Sequence, residues 1–300
     1  MTTRESVTPG GVWLILAAAL LWGTTGTAQA LAPFSAHPLS VGAVRLLIGG
    51  GFLLLVSLVR GTFAGQTRWP RMLVLLTAFF VASYQGCFFL GVAQTGVAVG
   101  TMTALGSSPI FAGVLDYCFR GERPGLLWGS ATGMAICGCL VLAVFGGEVQ
   151  GGLTGILLAL GAGFSYAAYA VGTKKLLDTH AAEAVVALIF SLGAVLLMPF
   201  FVFFDQHWLL SPAGFLVALH LGLVTTAVSY WLFAAGLKQV PVRMAATLSL
   251  AEPVTASCLG VLLLHEQLSR GEWLGVSILF GGIFLLIAGP YLVSVFCMRK

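Results

Sequence analysis

Only a handful of side chains in this 300-residue sequence can do chemistry. Glu252 stands directly before Pro253 inside an apolar run, and Arg45 lies inside another. A proline removes a backbone donor and frees the carbonyl one turn back, so Glu252 has polar backbone beside its carboxyl. Two readings stand for it: a protonatable or substrate-ammonium-binding group, or a carboxyl paired structurally with Arg45 or a hydroxyl. Arg45 likewise is either a binder of a substrate carboxylate or a structural partner. Stripes of aromatic and hydrogen-bonding side chains accompany them. Trp22, Thr25 and Gln29 fall at i, i+3 and i+7, on one helix face. Tyr166, Tyr169 and Thr173 repeat that stripe. Tyr84, Gln85 and Phe88 give a third, Thr103 and Ser107 a fourth, and Thr226, Ser229, Tyr230 and Phe233 a fifth. Such faces serve either interhelical hydrogen bonding or the wall of a central cavity.

As a cavity wall, these residues are mostly neutral, aromatic and hydrogen-bonding, with one carboxyl and one guanidinium. That chemistry suits a small zwitterion or a mildly apolar metabolite, because a polyanion carrier calls for more buried lysine and arginine. Aromatic faces stack on an aromatic solute or hold an ammonium, so the expected ligand is an aromatic or other amphipathic amino acid. Two further groups have blander readings. Asp116 is placed to meet Arg120 at i+4, and His220 is a packing histidine or a proton relay. Cys137 and Cys139 point to different faces of a helix and make a poor metal pair. The sequence holds no nucleotide-binding loop, catalytic triad or metal-ligand cluster, so we expect no metal, no cofactor, no nucleic-acid partner and no enzymatic activity. Energy for any work would have to come from a gradient.

The elements that position these groups follow from composition. Hydrophobic residues make up 59% of the chain and charged ones 8%, against roughly a quarter charged in a soluble domain. Mean hydropathy is +1.02. In lipid only helices and closed barrels satisfy their backbone groups, and barrel strands alternate apolar and polar residues over about ten positions. The runs here are about twice that length and apolar on all sides. They predict an all-α integral membrane protein with spans at 11–31, 39–59, 71–93, 97–118, 125–145, 151–172, 183–204, 212–237, 242–264 and 272–293. The first run is too long for a signal-peptide core and is expected to be retained.

Positive charge stays on the cytoplasmic side. With the N-terminus inside, Arg4, Arg60, Arg68, Arg71, Arg120, Arg123, Lys174, Lys175, Lys238, Arg243, Arg299 and Lys300 are cytoplasmic, and only Arg270 lies in an external loop. Dropping one span would scramble this partition. The expected location is therefore the cell (inner or plasma) membrane, multi-pass, with both termini cytoplasmic.

The sequence also matches itself at an offset of 144 residues. Pro109 falls on Pro253, Glu122 on Glu266, Thr103 on Thr247, Phe89 on Phe233 and Gly138 on Gly282, while Trp22, Thr25 and Gln29 fall on Tyr166, Tyr169 and Thr173. A unit of five spans is odd, so its second copy enters the membrane upside down. Residues 1–148 and 149–300 are thus expected to be two inverted five-helix repeats, an arrangement that in transporters encloses a midplane site and alternates access by rocking.

At this point the motifs resemble a known family. Leu21-Trp22-Gly23, Val44-Arg45-Leu46, and Ser108-Pro109 leading to Gly121-Glu122-Arg123 are similar to half of an EamA-type transporter. Ala251-Glu252-Pro253 leading to His265-Glu266-Gln267-Leu268 is similar to the other half. Ile189 replaces a counterpart of Arg45, and His265-Glu266-Gln267 replaces the more usual Gly-Glu-Arg. The resemblance implies membership of the drug/metabolite transporter superfamily, whose ten-helix members export amino acids and other small metabolites. The implied partners are a small-molecule substrate and the lipid bilayer, with the chain a monomer or homodimer. Small-xxx-small spacing at Gly96/Gly100, Gly129/Gly133 and Gly151/Gly155 is read as bundle packing or a dimer face, and Gly49-Gly50-Gly51 as packing or a flexible point.

Overall fold

The structure is a computed structural model that describes residues 7–30, 37–121, 124–146 and 152–297; the side chains of Gln29, Ala30, Arg120 and residues 290–297 lie outside the description. Arg4, Glu122, Arg123, Gly151, Arg299 and Lys300, used above for orientation, repeat, motif and small-residue spacing, fall outside the described residues.

The described residues form α1 (Pro9–Ala30), α2 (Pro38–Val59), α3 (Arg71–Thr95), α4 (Val97–Arg120), α5 (Leu126–Phe145), α6 (Leu153–Leu177), α7 (Ala182–Phe203), α8 (Pro212–Leu219), α9 (Ser229–Leu237), α10 (Val242–Leu248), α11 (Ala251–Leu263) and α12 (Arg270–Cys297). Ten stretches are long and apolar enough to cross a membrane. Large apolar side chains such as Leu126, Phe79, Phe203 and Phe280 point outward, as lipid contact allows. The protein is an all-helical, multi-pass membrane protein.

Two spans are less regular than the sequence predicts. The eighth, Pro212–Leu237, consists of α8 and α9 joined by a π-helical stretch, His220–Val228. There the Thr225 and Thr226 hydroxyls both donate to the Leu221 carbonyl, at 3.0 and 2.8 Å; Thr226 reaches five residues back, as a widened turn permits. The ninth, Val242–Leu263, is interrupted between α10 and α11.

Neighbour relations recur when helices five spans apart are exchanged. α2 lies on α7 and α5 on α12, each against its own counterpart. α3 packs on α6 as α1 packs on α9, and α4 packs on α6 as α1 packs on α11. Because lipid tails are as apolar as leucine, close backbone approach at small residues holds such contacts together. A methyl group on Gly282 would come within 2.6 Å of the Ala135 nitrogen on α5. One on Gly49 would lie 2.7 Å from the Gly222 carbonyl oxygen, so Gly49 is a packing contact between α2 and the eighth span. Gly129 and Gly133 differ: no neighbouring atom lies within 4 Å of a methyl group on either, and this pair does not pack within the bundle.

Candidate functional site

A cavity of about 190 Å3 opens among α1, α2, α3, α4, α6, α9 and α11. The first stripe contributes Trp22 and Thr25, α2 contributes Arg45, α3 contributes Tyr84 and Phe88, α6 contributes Tyr166, α9 contributes Tyr230 and α11 contributes Glu252. Trp22 is the pivot of the aromatic wall. Its ring centroid lies 4.9 Å from that of Tyr230, 5.4 Å from Phe233 and 6.3 Å from Tyr166, in the tilted and edge-on arrangements that aromatic pairs favour. Its indole Nε1 is buried without a hydrogen-bond partner among the described residues. Tyr166 is held by a 2.8 Å hydrogen bond between its hydroxyl and that of Ser249.

The two charges share the cavity without pairing. Arg45 is 5% exposed and donates from Nε to the Thr226 hydroxyl at 3.1 Å and from Nη2 to the Thr225 carbonyl at 3.1 Å. The π-helical stretch supplies both acceptors. No hydrogen bond joins Nη1 to the described residues, and the Glu252 carboxyl has neither a hydrogen bond nor an ion pair there. Glu252 is half-buried and Arg45 is satisfied on its Nε and Nη2 side, so both charges can face a polar solute in the cavity. The reading of Glu252 as the structural partner of Arg45 does not match this geometry.

Several residues singled out from sequence sit elsewhere. Gln85 is 1% exposed, but it lies around the helix from Tyr84 and Phe88, toward Gly42 on α2, and neither amide atom has a hydrogen-bond partner. Tyr169 packs below the cavity against Phe190, Tyr230 and Phe233. Thr103 and Ser107 are outside the lining: Ser107 faces α6, where it abuts Gly163, and donates to the Ala104 carbonyl. The lining face of α4 is instead Val97, Ala98, Thr101, Met102 and Leu105. Two residues apart on a helix is about 200°, nearly the opposite side. The Gln29 side chain lies outside the described residues. Sequence reasoning also missed Ser249, which with Glu252, Pro253 and Ala256 forms an i, i+3, i+4, i+7 stripe that was there to be read.

Charged side chains away from the cavity join helices to one another. Asp116, 1% exposed, accepts from Arg243 Nη1 on α10 at 2.8 Å, a pairing between chain halves; the Arg120 side chain lies outside the description. Lys174 donates to the Leu237 and Val240 carbonyls at 2.8 and 3.1 Å, capping the end of α9. Trp231 donates to Glu183 at 3.1 Å. These contacts gather at the end of the bundle where α1 begins, below the Tyr169–Phe233 layer. His220 lies off the cavity, its Nε2 2.8 Å from the Thr24 hydroxyl.

The sequence matches the EamA-like transporter family twice, over residues 9–144 and 153–288. The chain belongs to the EamA-like transporter family. Among its relatives is the uncharacterized transporter YwfM of Bacillus subtilis, 45% identical over 92% of this chain and 93% of that protein. Another is the threonine/homoserine exporter RhtA of Escherichia coli K12, 30% identical over 86% of this chain and 84% of that protein. A crystal structure superposes with a TM-score of 0.78 at 21% identity, covering 92% of this chain and 95% of the other, which speaks to the fold alone. As a family member the protein is a membrane transporter rather than an enzyme, and its small-molecule substrate is bound within the bilayer.

Proposed function

We propose that the protein exports a small amphipathic amino acid by alternating access, and that the cavity between Arg45 and Glu252 is its binding site. The observation that carries this reading is the pair of opposite charges, Arg45 and Glu252, that share one cavity without an ion pair between them. A zwitterion completes both at once: its carboxylate toward the guanidinium, its ammonium toward Glu252 and the faces of Trp22 and Tyr230. The cavity, at about 190 Å3, is smaller than the roughly 300–1,000 Å3 of drug-sized sites, which favours a metabolite over drug-like compounds. The relative RhtA, named for threonine and homoserine export, supports an amino acid and the outward direction.

Residues 1–148 and 149–300 act in this reading as inverted repeats, with both termini in the cytoplasm. The neighbour relations that recur on exchange of the halves support that arrangement. The cavity then faces outward, and the polar contacts gathered near Lys174, Glu183 and Asp116 hold the cytoplasmic end shut. Reconstitution into liposomes tests the proposal. Purified protein is expected to move at least one amphipathic amino acid from a panel, and Arg45→Gln and Glu252→Gln to weaken its binding about 10-fold or more while remaining folded. Folded wild-type protein that moves none of the panel would refute it.

A further inference from the structure

Two glycines of α1, Gly23 and Gly26, line the cavity less than one helical turn apart, and the space above them differs. A methyl group on Gly23 would lie 2.6 Å from Thr255 Cβ and 2.9 Å from the Glu252 carbonyl oxygen. This glycine lets α1 touch α11. A methyl group on Gly26 would meet no atom within 4 Å. Gly26 is exposed and part of the lining, so that open volume lies at the cavity's open end.

The neighbours of that volume follow from the topology. The first and ninth spans run parallel, so the step from Trp22 to Gly26 and the step from Glu252 to Ala256 climb toward the same end. That end is also where α3 finishes and α4 starts, bringing Val92, Val97 and Ala98 into the lining. The cavity therefore has a charged and aromatic lower part and an upper part of small and aliphatic residues. We propose that the upper part holds the side chain of the transported solute and that Gly26 sets its size limit, making the preferred substrates amino acids with aliphatic side chains. The inference rests on the amino-acid reading above and adds the side-chain class and a specificity-determining residue.

One methyl group more or less in an apolar pocket discriminates about 10–200-fold. Labelled alanine, valine, leucine and phenylalanine are to be followed in counterflow across proteoliposomes bearing wild type, Gly26→Ala or Gly26→Leu. In wild type the aliphatic members are expected to move faster than phenylalanine. Gly26→Ala is expected to lower the leucine-to-alanine rate ratio at least about tenfold, and Gly26→Leu to extend the loss to valine. The melting temperature of Gly26→Ala should be no lower than that of wild type, whereas Gly23→Ala should melt lower because its methyl group strikes α11. Unchanged ratios in both Gly26 variants, or a uniform fall for every amino acid, would overturn the size-limit assignment and leave the transport reading standing. A wild type that moves no amino acid would overturn both.

Discussion

Pro109 and Pro253 fall in register at the 144-residue offset, yet their helices respond to them differently. Each proline leaves the carbonyl four residues back without its intrahelical donor: Leu105 in α4, Ser249 in the ninth span. In α4 the residue before the proline is Ser108, whose hydroxyl donates to the Leu105 carbonyl at 2.8 Å, and the helix runs unbroken from Val97 to Arg120. In the ninth span that residue is Glu252. An ionised carboxyl only accepts hydrogen bonds, so it cannot repeat the repair. The backbone tightens instead, with Glu252 N–H donating to the Ser249 carbonyl at 3.0 Å and Leu250 N–H to that of Thr247 at 3.1 Å. The resulting break separates α10 from α11 and leaves the Ser249 hydroxyl to meet Tyr166 and the Glu252 carboxyl at the cavity. A proline is thus only half an instruction, and the residue before it decides whether the helix continues or opens a site.

The largest test of this contrast breaks the tie between the two helices. Arg243→Gln leaves the Asp116 carboxylate buried on α4 without its α10 partner. The expected cost is about 3 kcal/mol, read as a lowered unfolding midpoint in detergent, and a midpoint within error of wild type would show that α10 is held elsewhere. Next comes Glu252→Gln, which removes a charge-assisted contact of about 1.5–3 kcal/mol and should weaken solute binding about 10–100-fold with little change in melting. The same variant tests coupling. If export exchanges for protons at Glu252, the wild-type rate follows an inward proton gradient and the variant loses that dependence; an unchanged pH profile with intact rates would exclude a coupling role. A smaller effect belongs to Ser108→Ala, which strips the repair from α4 and should cost about 1–2 kcal/mol. Its retention of full stability would mean the Leu105 carbonyl needs no such donor. The smallest is Tyr166→Phe, which removes one hydroxyl pair with Ser249 and should cost about 1 kcal/mol, measured by the same melting assay.

Much of the cavity was legible because helical spacing is a strict geometric rule. Trp22 with Thr25, and Tyr84 with Phe88, reach it as their stripes imply. The stripe chosen on α4 is instructive by its failure. Thr103 and Ser107 are as polar as Thr101, and nothing local distinguishes the face that meets α6 from the face that meets the cavity. Gln85 shows the same limit on α3, since one residue of rotation separates it from Tyr84. The partner of Asp116 was equally beyond reach: Arg243 is distant in sequence, and only the packing of α4 against α10 brings it within 2.8 Å. The π-helical stretch that feeds two acceptors to Arg45 left no signal that sets it apart from a regular helix carrying a polar stripe.

The helical class and the ten spans follow from residue order alone. The cost of placing each residue in lipid is local and accumulates along the chain, so length and hydropathy suffice. The two matching halves and the identity of the two charges at the cavity were likewise written in the order of residues. Packing sets which face of each helix turns inward, brings Arg243 to Asp116, satisfies Arg45 from the eighth span, and leaves Gly26 beside open space where Gly23 borders a helix. The physical reason is that lipid tails are as apolar as a leucine-lined interior. Hydropathy therefore cannot separate a side chain facing a neighbour from one facing the bilayer, and the difference arises only when the helices pack.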